Sequence, residues 1–72
     1  MDMKNINTFI YTAELGSFTK AAELLGYSQS TVSFQIRQLE EELGTVLFER
    51  INRTVTLTDR GKEILRYAHR MK

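Results

Sequence analysis

Residues 21–32 read Ala21-Ala22-Glu23-Leu24-Leu25-Gly26-Tyr27-Ser28-Gln29-Ser30-Thr31-Val32. Upstream, Phe18, Ala21, Ala22 and Leu25 recur at the spacing of an amphipathic helix. Gly26 follows directly and supplies the residue type that accepts a left-handed backbone after a helix. Ser28 is then placed to cap a new helix, in which Val32, Ile36, Leu39 and Leu43 step by four, three and four along one face. Two helices joined through Leu25-Gly26-Tyr27-Ser28 form a helix-turn-helix. Ala21 and Ala22 are small where such helices must cross at short range.

The remainder of the chain organises around that unit. Before it, Ile6, Phe9, Ile10 and Ala13 make a first amphipathic stripe, with Asp2 as N-cap and Gly16 as stop. Ser17 caps the second helix. After Gly44 the period changes: Thr54-Val55-Thr56-Leu57 alternates polar and apolar, Leu47-Phe48-Glu49-Arg50-Ile51 is a partner strand, and Asn52-Arg53 lies near the turn. Thr58 caps a fourth helix carrying Ile64, Leu65, Ala68 and Met71. A hairpin of such short strands has no independent stability and must lean on the helices. The predicted class is therefore mainly α, a winged helix-turn-helix: a three-helix core, a small β-hairpin wing and a C-terminal helix.

Composition removes several functions. Seventy-two residues allow one domain. With no cysteine, disulfides and thiolate metal sites are excluded, and the single His69 has no companions at ligand spacing. The apolar runs are too short to span a membrane, and Met1-Asp2-Met3-Lys4 lacks a signal-peptide stretch, so a cytoplasmic protein is expected. Ser17, Ser28, Ser30 and Ser33 are accounted for by capping or helix faces, and His69 has no carboxylate near it in sequence, so no enzyme is expected. The net charge is only +1, but residues 1–43 hold three bases against six acids, whereas residues 44–72 hold seven against three. One end or face suited to a polyanion is one reading; an ordinary solvated helix is the other.

The third helix is the candidate for the major groove. Its apolar face is used by Val32, Ile36, Leu39 and Leu43, which leaves Ser28, Gln29, Ser30, Thr31, Ser33, Phe34 and Arg37 on or near the other side. Gln bonds adenine bidentately, Arg forks onto guanine, Ser and Thr reach bases or phosphates, and the helix N-terminal amides favour phosphate. Alone, Ser28-Gln29-Ser30-Thr31 reads first as a polar helix start; the order of surrounding elements reverses that preference in favour of recognition. Phe34 fits two readings, contact with a thymine methyl or packing against Tyr27 or the first helix. Arg50 and Arg53 flank the hairpin turn, where they serve phosphate or minor-groove contact, or protect a sheet edge with charge. Glu40-Glu41-Glu42 reads as a solvated face, and Arg37 and Glu41 stand at pairing distance i, i+4. On the fourth helix Gly61, Leu65 and Ala68 form one line, able to pack on the wing and first helix. Ile64, Tyr67 and Met71 form an adjacent line left partly exposed, which suggests a partner helix. A competing class is a winged helix that binds protein and leaves DNA alone.

From Ile6 to Gly61 the chain resembles the N-terminal DNA-binding domain of LysR-type transcriptional regulators. The pattern is Gly16-Ser17-Phe18-Thr19, Ala21-Ala22, Leu25, Ser28-Gln29, Ser33, Ile36, Leu39-Glu40, Leu43-Gly44, Leu47-Phe48, Arg50, Arg53, Leu57-Thr58 and Gly61. The resemblance implies a bacterial regulator of about 300 residues that binds double-stranded DNA as a dimer on a dyad-symmetric site. It implies a recognition helix over residues 29–43, a wing over 48–57, a DNA-binding domain over 1–58 and the start of a dimerising linker helix over 59–72. No cofactor is expected in this domain; a small-molecule effector would bind a C-terminal domain that is absent from these residues. Carried over, Gln29, Ser33 and Arg37 face base edges or phosphates, and Arg50 and Arg53 are wing contacts. Ser30 departs from the family where proline is frequent, and Phe34 where a basic or polar residue is frequent.

Overall fold

The computed structural model describes residues 1–51 and 54–70, and the backbone alone of Met71. The element order is α1 (Met3–Leu15), α2 (Phe18–Leu25), α3 (Gln29–Leu43), β1 (Phe48–Ile51), β2 (Thr54–Leu57) and α4 (Asp59–Met71). Each helix begins where its capping residue predicts. Asp2 accepts from the Lys4 amide at 2.9 Å, Ser17 from Lys20 at 3.1 Å, Ser28 from Thr31 at 3.2 Å and Thr58 from Gly61 at 2.9 Å. The turn between α2 and α3 is closed by Gly26 at φ 76°, a left-handed conformation in which the next amide, Tyr27 N–H, reaches back to the Ala22 carbonyl at 2.9 Å.

The apolar stripes meet in one core. Phe9, Ile10, Val32, Leu39 and Leu47 are fully buried, joined by Ile6, Phe18, Ala22, Ile36, Phe48 and Ala68, and Ala21 is also buried. Polar groups sit in this interior as well. Asn5 Nδ2 donates to Gln38 Oε1 at 2.9 Å and Thr8 Oγ1 to Gln35 Oε1 at 2.6 Å, so α1 and α3 are bolted by two side-chain bonds beside their apolar contact. Nothing in the periodicity announces these pairs, since Asn5 and Thr8 read as the solvated side of α1.

β1 and β2 pair antiparallel with Phe48 opposite Leu57 and Arg50 opposite Val55. Alternation puts Phe48 inward, where its ring lies 5.5 Å from that of Phe9 and 5.7 Å from that of Phe18. The hairpin base is stitched to the helices through residues 46 and 47. Leu47 N–H donates to Glu40 Oε2 at 2.8 Å, Leu47 C=O accepts from Thr58 N–H at 3.0 Å, and Val46 C=O accepts from Thr58 Oγ1 at 2.7 Å. Gly61 is buried against this segment: a Cβ there would collide with the Leu47 carbonyl oxygen and lie 2.9 Å from Leu57 Cδ2. Close approach, not backbone freedom, requires the glycine.

Two expectations are corrected. Glu41 and Glu42 are exposed, but Glu40 is half-buried and holds the Leu47 amide, so the acidic run is not uniformly a solvated face. Among the described residues Arg37 and Glu41 form no ion pair, whereas Glu42 lies 3.7 Å from the Met1 amino group. His69, without a carboxylate near it in sequence, has Glu14 of α1 3.8 Å from its Nε2 because α4 packs back across α1. No helix among the described residues is long and apolar enough to cross a membrane.

Candidate nucleic-acid interface

The exposed side of α3 is formed by residues 30, 33, 34 and 37, one helical stripe, with Gln29 at its start. Gln29, Ser30, Ser33, Phe34 and Arg37 together line an open depression of about 400 Å³ with no acidic group in its wall. Gln29, Ser30, Phe34 and Arg37 are exposed; Ser33 is half-buried. Phe34 leaves 59% of its surface in solvent and pairs with no other aromatic ring among the described residues, Tyr27 included. Ser28 and Thr31 are differently occupied. The Ser28 hydroxyl accepts the Thr31 amide and lies 3.0 Å from the Thr31 hydroxyl, so both are engaged in closing the helix start.

Arg50 projects from the inner face of the hairpin, two residue pairs beyond Phe48, and its guanidinium lies 4.2 Å from the centroid of the Phe18 ring. It is exposed, and the ring beneath it favours this position through a cation–π contact. Arg50 lines a second depression with Ser17, Phe18, Thr19, Gln29 and Val55, and a third that includes Ser33, Arg37 and Glu40. Gln29 is shared by the first two, Ser33 and Arg37 by the first and third. The recognition helix, the start of α2 and the wing therefore present one continuous surface. Ser17, which the sequence places as a helix cap, and Thr19, which it gives no role of its own, border it. Their only signal was membership of the Gly16-Ser17-Phe18-Thr19 pattern, because the fold, not the spacing, brings them beside Arg50. Arg53 lies outside the described residues.

A separate apolar groove of about 230 Å³ opens on the other side of the molecule, lined by Met1, Ile6, Phe9, Leu39, Leu43, Ile64, Tyr67 and Ala68. On α4, Gly61 and Ala68 are buried and Leu65 half-buried, as the inward line requires. Ile64 is half-buried against the core and Tyr67 is 60% exposed, with Arg70 5.9 Å from its ring centroid. The Met71 side chain lies outside the described residues.

A helix-turn-helix with this wing and these capping positions matches the family model described as bacterial regulatory helix-turn-helix protein, lysR family, over residues 3–62. The chain belongs to the LysR family. Among relatives, it is 46% identical over 71 residues to the HTH-type transcriptional regulator YwqM of Bacillus subtilis (strain 168), covering 99% of this chain and 24% of that protein. It is 47% identical over 68 residues to the HTH-type transcriptional activator IlvY of Salmonella typhi, covering 94% and 23%. This LysR-family chain thus spans about a quarter of the length of the curated relatives it matches. Among solved structures, it superposes on the CbnR DNA-binding domain in its DNA complex with TM-score 0.94 at 38% identity, covering 99% of this chain and 82% of that one. The BenM DNA-binding domain in complex with catB site 1 DNA gives 0.93 at 41% identity, covering 99% and 79%. Full-length CbnR contains the same domain as 25% of its chain. The winged helix-turn-helix predicted from sequence is the observed architecture of this LysR-family domain.

Proposed function

We propose that this domain binds double-stranded DNA sequence-specifically, with α3 in the major groove and the wing on the adjacent backbone or minor groove. The carrying observation is the continuity of the surface from Gln29, Ser33 and Arg37 to the pinned Arg50. A groove-sized helix face and a wing cation on one side give both base readout and phosphate anchoring. The likeness to domains solved on DNA supports the same pose. Gln29, Ser30, Ser33, Phe34 and Arg37 are the residues assigned to the groove. Ser28 and Thr31 shape the helix start and its phosphate-facing amides. Arg50 and Arg53 are the backbone or minor-groove contacts.

In the whole protein the domain works as one half of a dimer on a dyad-symmetric site, regulating transcription without catalysing a reaction. Residues 59–72 begin the helix that pairs the copies through the line of Ile64, Tyr67 and Met71, and residues 1–58 form the DNA-binding unit. Half-sites would lie about 34–36 Å apart or a multiple of that. A small-molecule effector, acting elsewhere in the protein, is the expected regulator. The location is cytoplasmic, where the DNA is.

Selection from a randomised duplex pool, followed by fluorescence anisotropy at two salt concentrations, tests this reading. Enrichment of one short motif, with affinity falling as salt rises, is expected. Arg37→Ala should cost on the order of 1–3 kcal/mol on the selected duplex and relax its sequence preference. Equal losses on selected and scrambled DNA would remove Arg37 from readout. No duplex binding by this chain or by a dimeric extension through the linker helix would favour the competing protein-binding module, for which the weak net charge speaks.

A further inference from the structure

We propose that Phe34 is a specificity-determining residue that reads the 5-methyl group of one thymine in each half-site. The inference rests on the reading of α3 as the major-groove helix. Phe34 is the one large apolar side chain in the wall of the depression it shares with Gln29, Ser30, Ser33 and Arg37. It is 59% exposed and stacks on no other ring among the described residues, whereas Phe9, Phe18 and Phe48 are buried together in the core. Its phenyl ring stands outside the buried core cluster, on a polar helix face.

Position decides what it meets. Ser30, Phe34 and Arg37 occupy successive turns of the same stripe, with Ser33 beside them. Any pose that brings Gln29 and Arg37 to base edges sets the ring between them, over the floor of the groove. A phenyl group has no donor or acceptor for a phosphate or for base heteroatoms. The thymine 5-methyl is the apolar group that the major groove displays. Cytosine lacks it, so contact with that methyl favours T·A at one position without a hydrogen bond. A protein partner is a poorer match, because the other residues lining the depression, Gln29, Ser30, Ser33 and Arg37, are all polar.

The test is a deoxyuridine scan of the selected duplex, which removes one methyl at a time and leaves every Watson–Crick and groove hydrogen-bonding group in place. With the present 72-residue chain, a single T→dU position in the half-site should weaken binding about three- to tenfold, the effect of exposing roughly one buried methyl with its packing. Phe34→Ala, checked for unchanged helical circular dichroism, should lose a similar factor on the thymine duplex and become indifferent to dU at that position. Specific binding that survives with a flat dU profile overturns the assignment while leaving the DNA reading intact. A dU penalty that persists in Phe34→Ala gives the methyl to another side chain and also overturns it. Absence of binding to any duplex, by this chain and by a dimeric extension through the linker helix alike, sinks both readings together.

Discussion

The Arg50 guanidinium carbon lies over the Phe18 ring, 4.2 Å from its centroid, so a wing cation is positioned by an aromatic of the helix-turn-helix. Phe18 is itself held edge-on by Phe48, whose ring is 5.7 Å away at 80°. The stack therefore couples the wing, α2 and the core. Holding the cation in place before DNA arrives reduces the side-chain freedom that binding must freeze.

Arg50→Gln should weaken binding to all sequences and lower the slope of log affinity against log salt by about one. Folding stability should fall by no more than about 0.5–1 kcal/mol, the range for an exposed cation–π contact. Anisotropy across a salt series, with a urea titration of the same sample, measures both. A change of sequence preference with an unaltered salt slope would count against a phosphate role.

Glu40 is expected to matter for folding although it lies in an acidic run. Its carboxylate oxygen is 2.8 Å from the amide of the fully buried Leu47. Glu40→Ala strands that N–H and should cost about 1–3 kcal/mol. Glu40→Gln keeps an acceptor oxygen and should cost less. Chemical denaturation that ranks the two variants equally would refute the hydrogen-bond account.

At Gly61 two effects of opposite sign compete. Alanine gains about 1 kcal/mol in helix propensity. The added Cβ, however, meets the Leu47 carbonyl and Leu57, and neither can retreat without moving the base of the wing. Overpacking of this kind costs about 1–3 kcal/mol, so Gly61→Ala should lower the thermal midpoint. A raised midpoint would mean that α4 slides freely on the wing.

Thr12 offers the reverse case. Its side chain is fully buried, and its hydroxyl has no hydrogen-bond partner among the described residues. Thr12→Val keeps the shape and removes the stranded polar atom, so stability should rise by about 1 kcal/mol or more. Urea unfolding of the variant decides it; a loss of stability would show that the hydroxyl is satisfied in solution.

The boundaries of this fold were readable one residue at a time because caps and glycines act locally. Asp2, Ser17, Ser28 and Thr58 each bond an amide two or three positions on, and Gly26 turns the chain by its own backbone conformation. Helical spacing likewise separated Val32, Ile36 and Leu39 from the polar stripe of α3. The exposure of that polar stripe was legible for the same reason. The interior polar pairs were not: Asn5 with Gln38 and Thr8 with Gln35 join side chains 33 and 27 residues apart, and one-dimensional periodicity carries no information about such partners.

By itself, then, the order of residues determined the number and type of elements, the helix ends and the family, since these depend on interactions within a few positions or on a pattern in register. Tertiary structure alone decided that Arg50 rests on Phe18, that Glu40 turns from the solvated run to hold Leu47, that Glu14 comes to His69, and that Phe34 is left in solvent. Each of those outcomes depends on how helices cross and where the hairpin leans. That geometry is set by the summed packing of the core, which no local stretch of the chain contains.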